Sequence, residues 1–107
     1  MNNADFTGAN LEDARLKGVN MQGSNFTDAN LENANLNGSN LANAIFNHAH
    51  LEEANFQNAN LANADFREAN LEDANLRGAN IRGANFTDAN IEDMKMPNGK
   101  ECLDLED

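Results

Sequence analysis

From Phe6 to Met96 a large apolar residue returns at every fifth position, nineteen times without an insertion. The series begins Phe6, Leu11, Leu16, Met21, Phe26 and continues in the same register. Two places before each centre sits Ala, apart from Val19, Ser24, Ser39 and Met94, the first three of them also small. The residue just before the centre is usually Asn or Asp. The two after it are polar, charged or Gly. An α-helix turns about 100° per residue, so five residues advance about 140° and the centres would wind around every side. A flat strand alternates faces, so an odd period would send successive centres to opposite sides. The pattern is satisfied if the chain bends by about a right angle every five residues. Four segments then close a square coil of twenty residues. The Ala and the large apolar residue point inward, the other three point outward, and Asn and Gly suit the corners.

A square coil predicts a second period of twenty, so that each side chain packs on its own kind one coil away. Phe6, Phe26, Phe46, Phe66 and Phe86 obey it and form the expected structural core, with Phe56 alone outside that column. The second face carries Leu11, Leu31, Leu51, Leu71 and Ile91. The third carries Leu16, Leu36, Phe56, Leu76 and Met96. The fourth carries Met21, Leu41, Leu61 and Ile81.

The unit Ala29-Asn30-Leu31-Glu32-Asn33 resembles the A(D/N)LXX repeat of the pentapeptide repeat family, and the match runs over about residues 4–96. The resemblance implies an all-β fold, a right-handed quadrilateral parallel β-helix. Stacked at the strand spacing of about 4.8 Å, about five coils would make a rod about 23 Å long. Each coil of such a solenoid is stabilised by its neighbours. Each buried centre is worth about 1.5–3 kcal/mol. The Asn column is expected to add stacked amide ladders. The repeat decays at Met94-Lys95-Met96-Pro97. Residues 1–96 are therefore read as the solenoid and residues 97–107, with Cys102, Leu103 and Leu105, as a short C-terminal cap or tail. The first coil has no comparable cap, so Phe6, Leu11, Leu16 and Met21 are expected to be partly open or paired with a second molecule. The chain is read as a monomer or an end-to-end dimer.

Charge changes the picture of the surface. The chain of 107 residues has 18 acidic and 7 basic residues, a net charge of −11. Such a balance disfavours direct nucleic-acid binding, which needs cationic surface, and favours solubility or a cationic partner. Folding the sequence by twenty aligns Glu12, Glu32, Glu52, Glu72 and Glu92 on the second face. Beside them run Asp13, Asn33, Glu53, Asp73 and Asp93. Nine of the acidic residues thus occupy two adjacent columns, although stacked like charges repel by about 1 kcal/mol per close pair in water. Turn chemistry does not require them, since the other faces use Thr, Gln, Ala, Lys or Arg at the Glu position. This stripe is the candidate protein-contact face. Its alternatives are a solvated face and a Ca²⁺ ladder, which would lack a loop to gather six or more oxygens. Some pentapeptide repeat proteins are DNA mimics that bind type II topoisomerases. The resemblance therefore admits a DNA-mimic reading, with one charge per about 2.6 Å against about 1.7 Å in duplex DNA.

A second candidate spot is Ile45, His48 and His50, in the middle coil, where Ile45 and His50 replace the usual Asn or Asp. His48 falls between Asp28 and Glu68 in its column. The two histidines and nearby carboxylates could contact a partner. A zinc site needs three or four converging ligands, and no metal or other cofactor is assigned. No catalytic constellation is present: Cys102 lies far along the rod from His48 and His50, and the glycines are corner residues, not a phosphate loop. The single cysteine excludes an internal disulfide framework and fits a cytoplasmic setting. No stretch is long and apolar enough for a signal peptide or a membrane span. The reading is a non-enzymatic scaffold for protein–protein contact.

Overall fold

The computed structural model describes residues 2–98, and the expected cap at 97–107 falls mostly outside them. Every fifth residue, from Asp5 to Lys95, lies in a parallel bridge to the residue twenty positions away. Asp5 pairs with Asn25, Asn25 with Ile45, Ile45 with Asp65 and Asp65 with Asn85. Each pentapeptide of the interior coils donates three backbone hydrogen bonds to the adjacent coils. In the middle coil, Phe46 N–H donates to the Asp65 carbonyl at 2.7 Å, His48 N–H to Arg67 at 3.2 Å and Ile45 N–H to Ser24 at 2.9 Å.

Between bridges the chain turns a corner. The carbonyl of each centre accepts from the N–H three residues on, as when Ala49 N–H donates to the Phe46 carbonyl at 3.0 Å. The third residue of each turn has positive φ, the signature of a type II turn. Gly78 has φ 76° and Asn58, one coil earlier in its column, has φ 60°. His48 at 59°, Glu53 at 59° and Glu68 at 60° take the same conformation without the freedom of Gly.

The interior is apolar but for Ser24 and Ser39, which are buried in the small-residue column. Phe26, Phe46 and Phe66 are fully buried, and Phe6 and Phe86 at the two ends are partly buried. The five rings form one stack with centroids 4.9–5.0 Å apart and planes within 6°. That spacing is the pitch of the coils. Phe56 enters from the third face, edge-on to Phe46 and Phe66 at 5.8 and 6.0 Å. The small column is as completely enclosed as the large one: Ala29, Ala44, Ala54, Ala64 and Ala74 are all at 0% exposure.

The Asn column differs from the expected amide ladder. Every Asn or Asp at the bridge position turns its Oδ1 back to accept from the backbone N–H two residues on, at 2.8–3.3 Å. The side chain closes the turn of its own repeat, which is the Asx geometry these residues favour. Among the described residues, only Asn80 and Asn60, at 3.5 Å, join amides of this column across coils. The amide serves better than a carboxylate here, since a full column of Asp would stack negative charge at the coil pitch. The bridge positions without this bond are Arg15, Ile45, His50 and Lys95, where the side chain offers no such oxygen.

A consequence for stability follows. His50→Asn supplies the missing turn bond at the cost of a loose 3.9 Å contact to Glu52. It is expected to raise stability by about 0.5–1 kcal/mol, and Asn55→Ala to lower it by about the same amount. Urea midpoints of the two variants check both signs.

Candidate functional site

The coil geometry places the stripe as the sequence predicts. Glu12, Glu32, Glu52, Glu72 and Glu92 begin the five corners that follow the second-face centres, and Asp13, Asn33, Glu53, Asp73 and Asp93 complete them. Asn33 relieves its column at one point, donating its amide to Asp13 Oδ1 at 2.7 Å. Glu52 is partly buried, its side chain 28% exposed. Its Oε1 is covered and has no hydrogen-bond partner among the described residues, with His50 Nδ1 3.9 Å away.

The charges act on one another. Glu92 above all, then partial desolvation, then Asp73, Asp93 and Glu52 push the Glu72 carboxyl above its ordinary value. A carboxyl raised in the fold takes up a proton before its unfolded counterpart does. Acidification through the raised value, towards the ordinary 4.5, therefore relieves repulsion and stabilises the fold. Asp65 behaves in the opposite way. The guanidinium of Arg67, bonded to it at 2.8–3.1 Å, holds its carboxyl below 3.8, so its contribution is lost as pH falls through that lowered value. The melting temperature of the protein should accordingly rise from pH 7 towards about pH 4.5 and fall below about pH 3.8. The five-Glu→Gln variant should melt no lower than the native chain at pH 7 and lose most of that rise.

Five further acidic residues on the first face extend the site in a way that column-by-column reading missed. Asp5, Asp28, Asp65, Glu68 and Asp88 all lie on the first face, and the nine stripe residues lie on the second. The third and fourth faces carry no acidic residue between residues 2 and 98, but do carry Arg15, Lys17, Arg77, Arg82 and Lys95. The solenoid is a prism with two adjacent acidic sides and two neutral-to-basic ones. Counting charge on all four faces, rather than within one column, is the signal that finds it.

The second spot is real as a neighbourhood and loose as a site. His48 Nδ1 stands 3.7 Å from Glu68, both more than half exposed, and the two histidines approach different carboxylates. Ile45 is partly exposed at the bridge between Asn25 and Asp65. Asn47, in the orientation that lets its amide donate, reaches both Asp65 oxygens at 2.9 and 3.1 Å. Among the described residues no three His, Cys, Asp or Glu side chains converge as a metal would require, and no helix is long and apolar enough to cross a membrane.

A solenoid of twenty-residue square coils, with a mainly apolar core and its charged residues on the outer faces, is a scaffold architecture. The chain belongs to the pentapeptide repeat family, whose repeats match in eight copies over residues 1–23, 24–61 and 54–93. The fold of that family is the right-handed quadrilateral β-helix, and the coils described above are of that kind. A pentapeptide repeat protein from the Arabidopsis thaliana thylakoid lumen is similar in structure, with TM-score 0.85 and 30% identity over 89% of this chain and 66% of that one. HetL, a pentapeptide repeat protein involved in heterocyst differentiation regulation from Nostoc, is 27% identical over 92% of this chain and 54% of its own, with TM-score 0.46. Rfr23, a pentapeptide repeat protein from Cyanothece, is 30% identical over 90% and 89%, with TM-score 0.42. No curated protein sequence matches the chain.

Proposed function

We propose that the chain is a non-enzymatic scaffold, of about five coils, that binds a cationic protein partner on its two acidic faces. The observation that carries this reading is the segregation of acidic residues, among the described residues, onto the first and second faces. Repulsion of the kind felt by Glu72 is a standing cost to the fold, and a cationic surface docked along the stripe would remove it. A solvating face would serve equally well with its charges spread over four sides. The setting we assign is cytoplasmic, on the single cysteine of the chain, and the working form is a monomer or an end-to-end dimer. The spot at Ile45, His48 and His50 adjoins the stripe and is a secondary contact.

The test is capture of partners from lysate at low and high salt, comparing the native protein with the five-Glu→Gln variant. A partner lost in both the variant and high salt supports the acidic faces. Partners unchanged in the variant would overturn the reading. Competition by duplex DNA for the same partner would move the assignment to a DNA mimic that occupies a topoisomerase or another DNA-binding protein, because such a surface must share its binder with DNA.

A further inference from the structure

One corner of the solenoid carries a reaction that the neighbouring coils hold in check. Asn37 and Gly38 form the corner after the Leu36 centre, Asn37 partly buried and Gly38 exposed. A side-chain amide followed by Gly can be attacked by the next backbone nitrogen, because no Cβ crowds the approach. A Cβ built on Gly38 would meet nothing within 4 Å, so the corner has open space around it. What restrains Asn37 is its backbone. Its carbonyl accepts from Gly18 N–H of the preceding coil at 2.8 Å, and Gly38 N–H donates to the Gln57 carbonyl of the following coil at 2.8 Å. The peptide between them is pinned from both sides. Gly38 has φ 70°, which puts Asn37 at the first inner position of a type II turn, with ψ about +120°. At that ψ the Gly38 nitrogen points away from the Asn37 side chain. Bringing the two together requires the peptide to flip, which breaks both bonds at once. From Asn20 to Asn75 the N–H that follows every Asn is likewise bonded to a carbonyl. Over that span the residue after an Asn is almost always a buried centre or a buried Ala. Only Gly38 and His48 follow an Asn and are exposed, and His48 carries the side chain that Gly38 lacks.

We propose that Asn37 is a self-modification site, converted through a cyclic imide to isoaspartate when the coils around it open locally. None of this depends on the acidic-face partner. The Gly38 nitrogen gives its proton to hydroxide and bonds to the Asn37 Cγ. The Cγ–Nδ2 bond breaks, and the leaving nitrogen takes a proton from water and departs as ammonia. A second water then opens the imide. Opening at Cγ leaves aspartate. Opening at the main-chain carbonyl leaves Gly38 attached through Cγ, which is isoaspartate. The net change consumes water and releases ammonia, with no oxidation or reduction. Isoaspartate adds a carbon to the main chain between the Leu36 and Leu41 centres and a negative charge at the corner. A strict period of five has no slack for that carbon. The modified coil therefore re-closes badly on its neighbours, and in a solenoid the loss spreads to both of them.

Peptide mass spectrometry of the full chain after incubation in mildly alkaline buffer tests this, with fragmentation telling isoaspartate from aspartate. Asn37 should be converted ahead of every other Asn between Asn20 and Asn75. Conversion in the folded chain should be slower than in fully denaturing urea by about a hundredfold or more, because it waits on local opening. Sub-denaturing urea should speed it without any substitution. Leu36→Val, which loosens the centre beside the corner, should also speed it, with circular dichroism showing that the variant folds. Asn37→Gln, whose longer side chain closes such a ring far less readily, should keep its melting temperature through an incubation that lowers that of the native chain. An Asn37 that stays intact in denaturing urea, or that is converted as fast in the folded chain as in urea, would overturn the proposal. So would another Asn of the span converted first in the folded chain, a rate indifferent to sub-denaturing urea, or a chain carrying isoaspartate at residue 37 that melts as the native chain does.

Discussion

Phe46→Ala is expected to cost about 3–5 kcal/mol, a large part of the 5–15 kcal/mol that holds a domain of this size together. Phe46 is fully buried and sits at the centre of the ring stack, 4.9 Å from both Phe26 and Phe66 and edge-on to Phe56 at 5.8 Å. Removing the ring loses its transfer energy and three aromatic contacts, each worth about 0.5–1.5 kcal/mol. The coils cannot close over the gap, because backbone hydrogen bonds such as Phe26 N–H to the Ile45 carbonyl at 2.6 Å fix their separation. Phe6→Ala removes the same atoms from a ring that is partly exposed and stacked on one side only, so it should cost less than half as much. Urea midpoints of the two variants decide the matter. Equal losses would mean that the stack is five independent burials and not a chain of neighbour contacts. Phe46→Asp should abolish the folded state, since it buries an unpaired charge.

The architecture was legible because its cause repeats. The periods of five and twenty come from side chains that must point inward, and inward positions tolerate few residue types. Phe26, Phe46 and Phe66 and the Ala beside them are therefore read correctly from spacing alone. The Asn column was legible in position and not in purpose. Stacked amides and turn-closing amides require the same residue at the same spacing, and only the side-chain direction separates them. The departures from Asn or Asp at Arg15, Ile45, His50 and Lys95 were visible, but not that each one leaves a turn without its closing bond. The stripe on the second face was visible because its charges fall in two columns. The first-face acids were not, because Asp5 and Asp65 occupy the bridge position while Asp28, Glu68 and Asp88 occupy the corner. A column search divides what the folded surface joins.

Ala54→Leu is expected to destabilise the protein by about 1–3 kcal/mol, whereas Ala62→Leu should change stability by less than about 0.5 kcal/mol. Both sites are alanines, eight residues apart, and a helix or a disordered chain would treat them alike. The square coil does not. Ala54 is at 0% exposure, two residues before the Phe56 centre, and faces the interior beside Ala34 and Ala74. Three more carbons there must displace either a centre or the backbone. The backbone is held by Asn55 N–H to the Ala34 carbonyl at 2.9 Å and Asn75 N–H to the Ala54 carbonyl at 3.0 Å. Ala62 follows the Leu61 centre at an outer corner and is only partly buried, so a larger side chain can extend into solvent. Thermal melting of the two variants gives the comparison directly. Equal losses would place Ala62 inside the coil, and equal tolerance would mean that the Ala column is a consequence of repeat duplication and not of space. The same contrast locates the working surface: only residues at the Ala62 kind of position, which includes the stripe from Glu12 to Glu92, can be changed to suit a partner without disturbing the coil beneath.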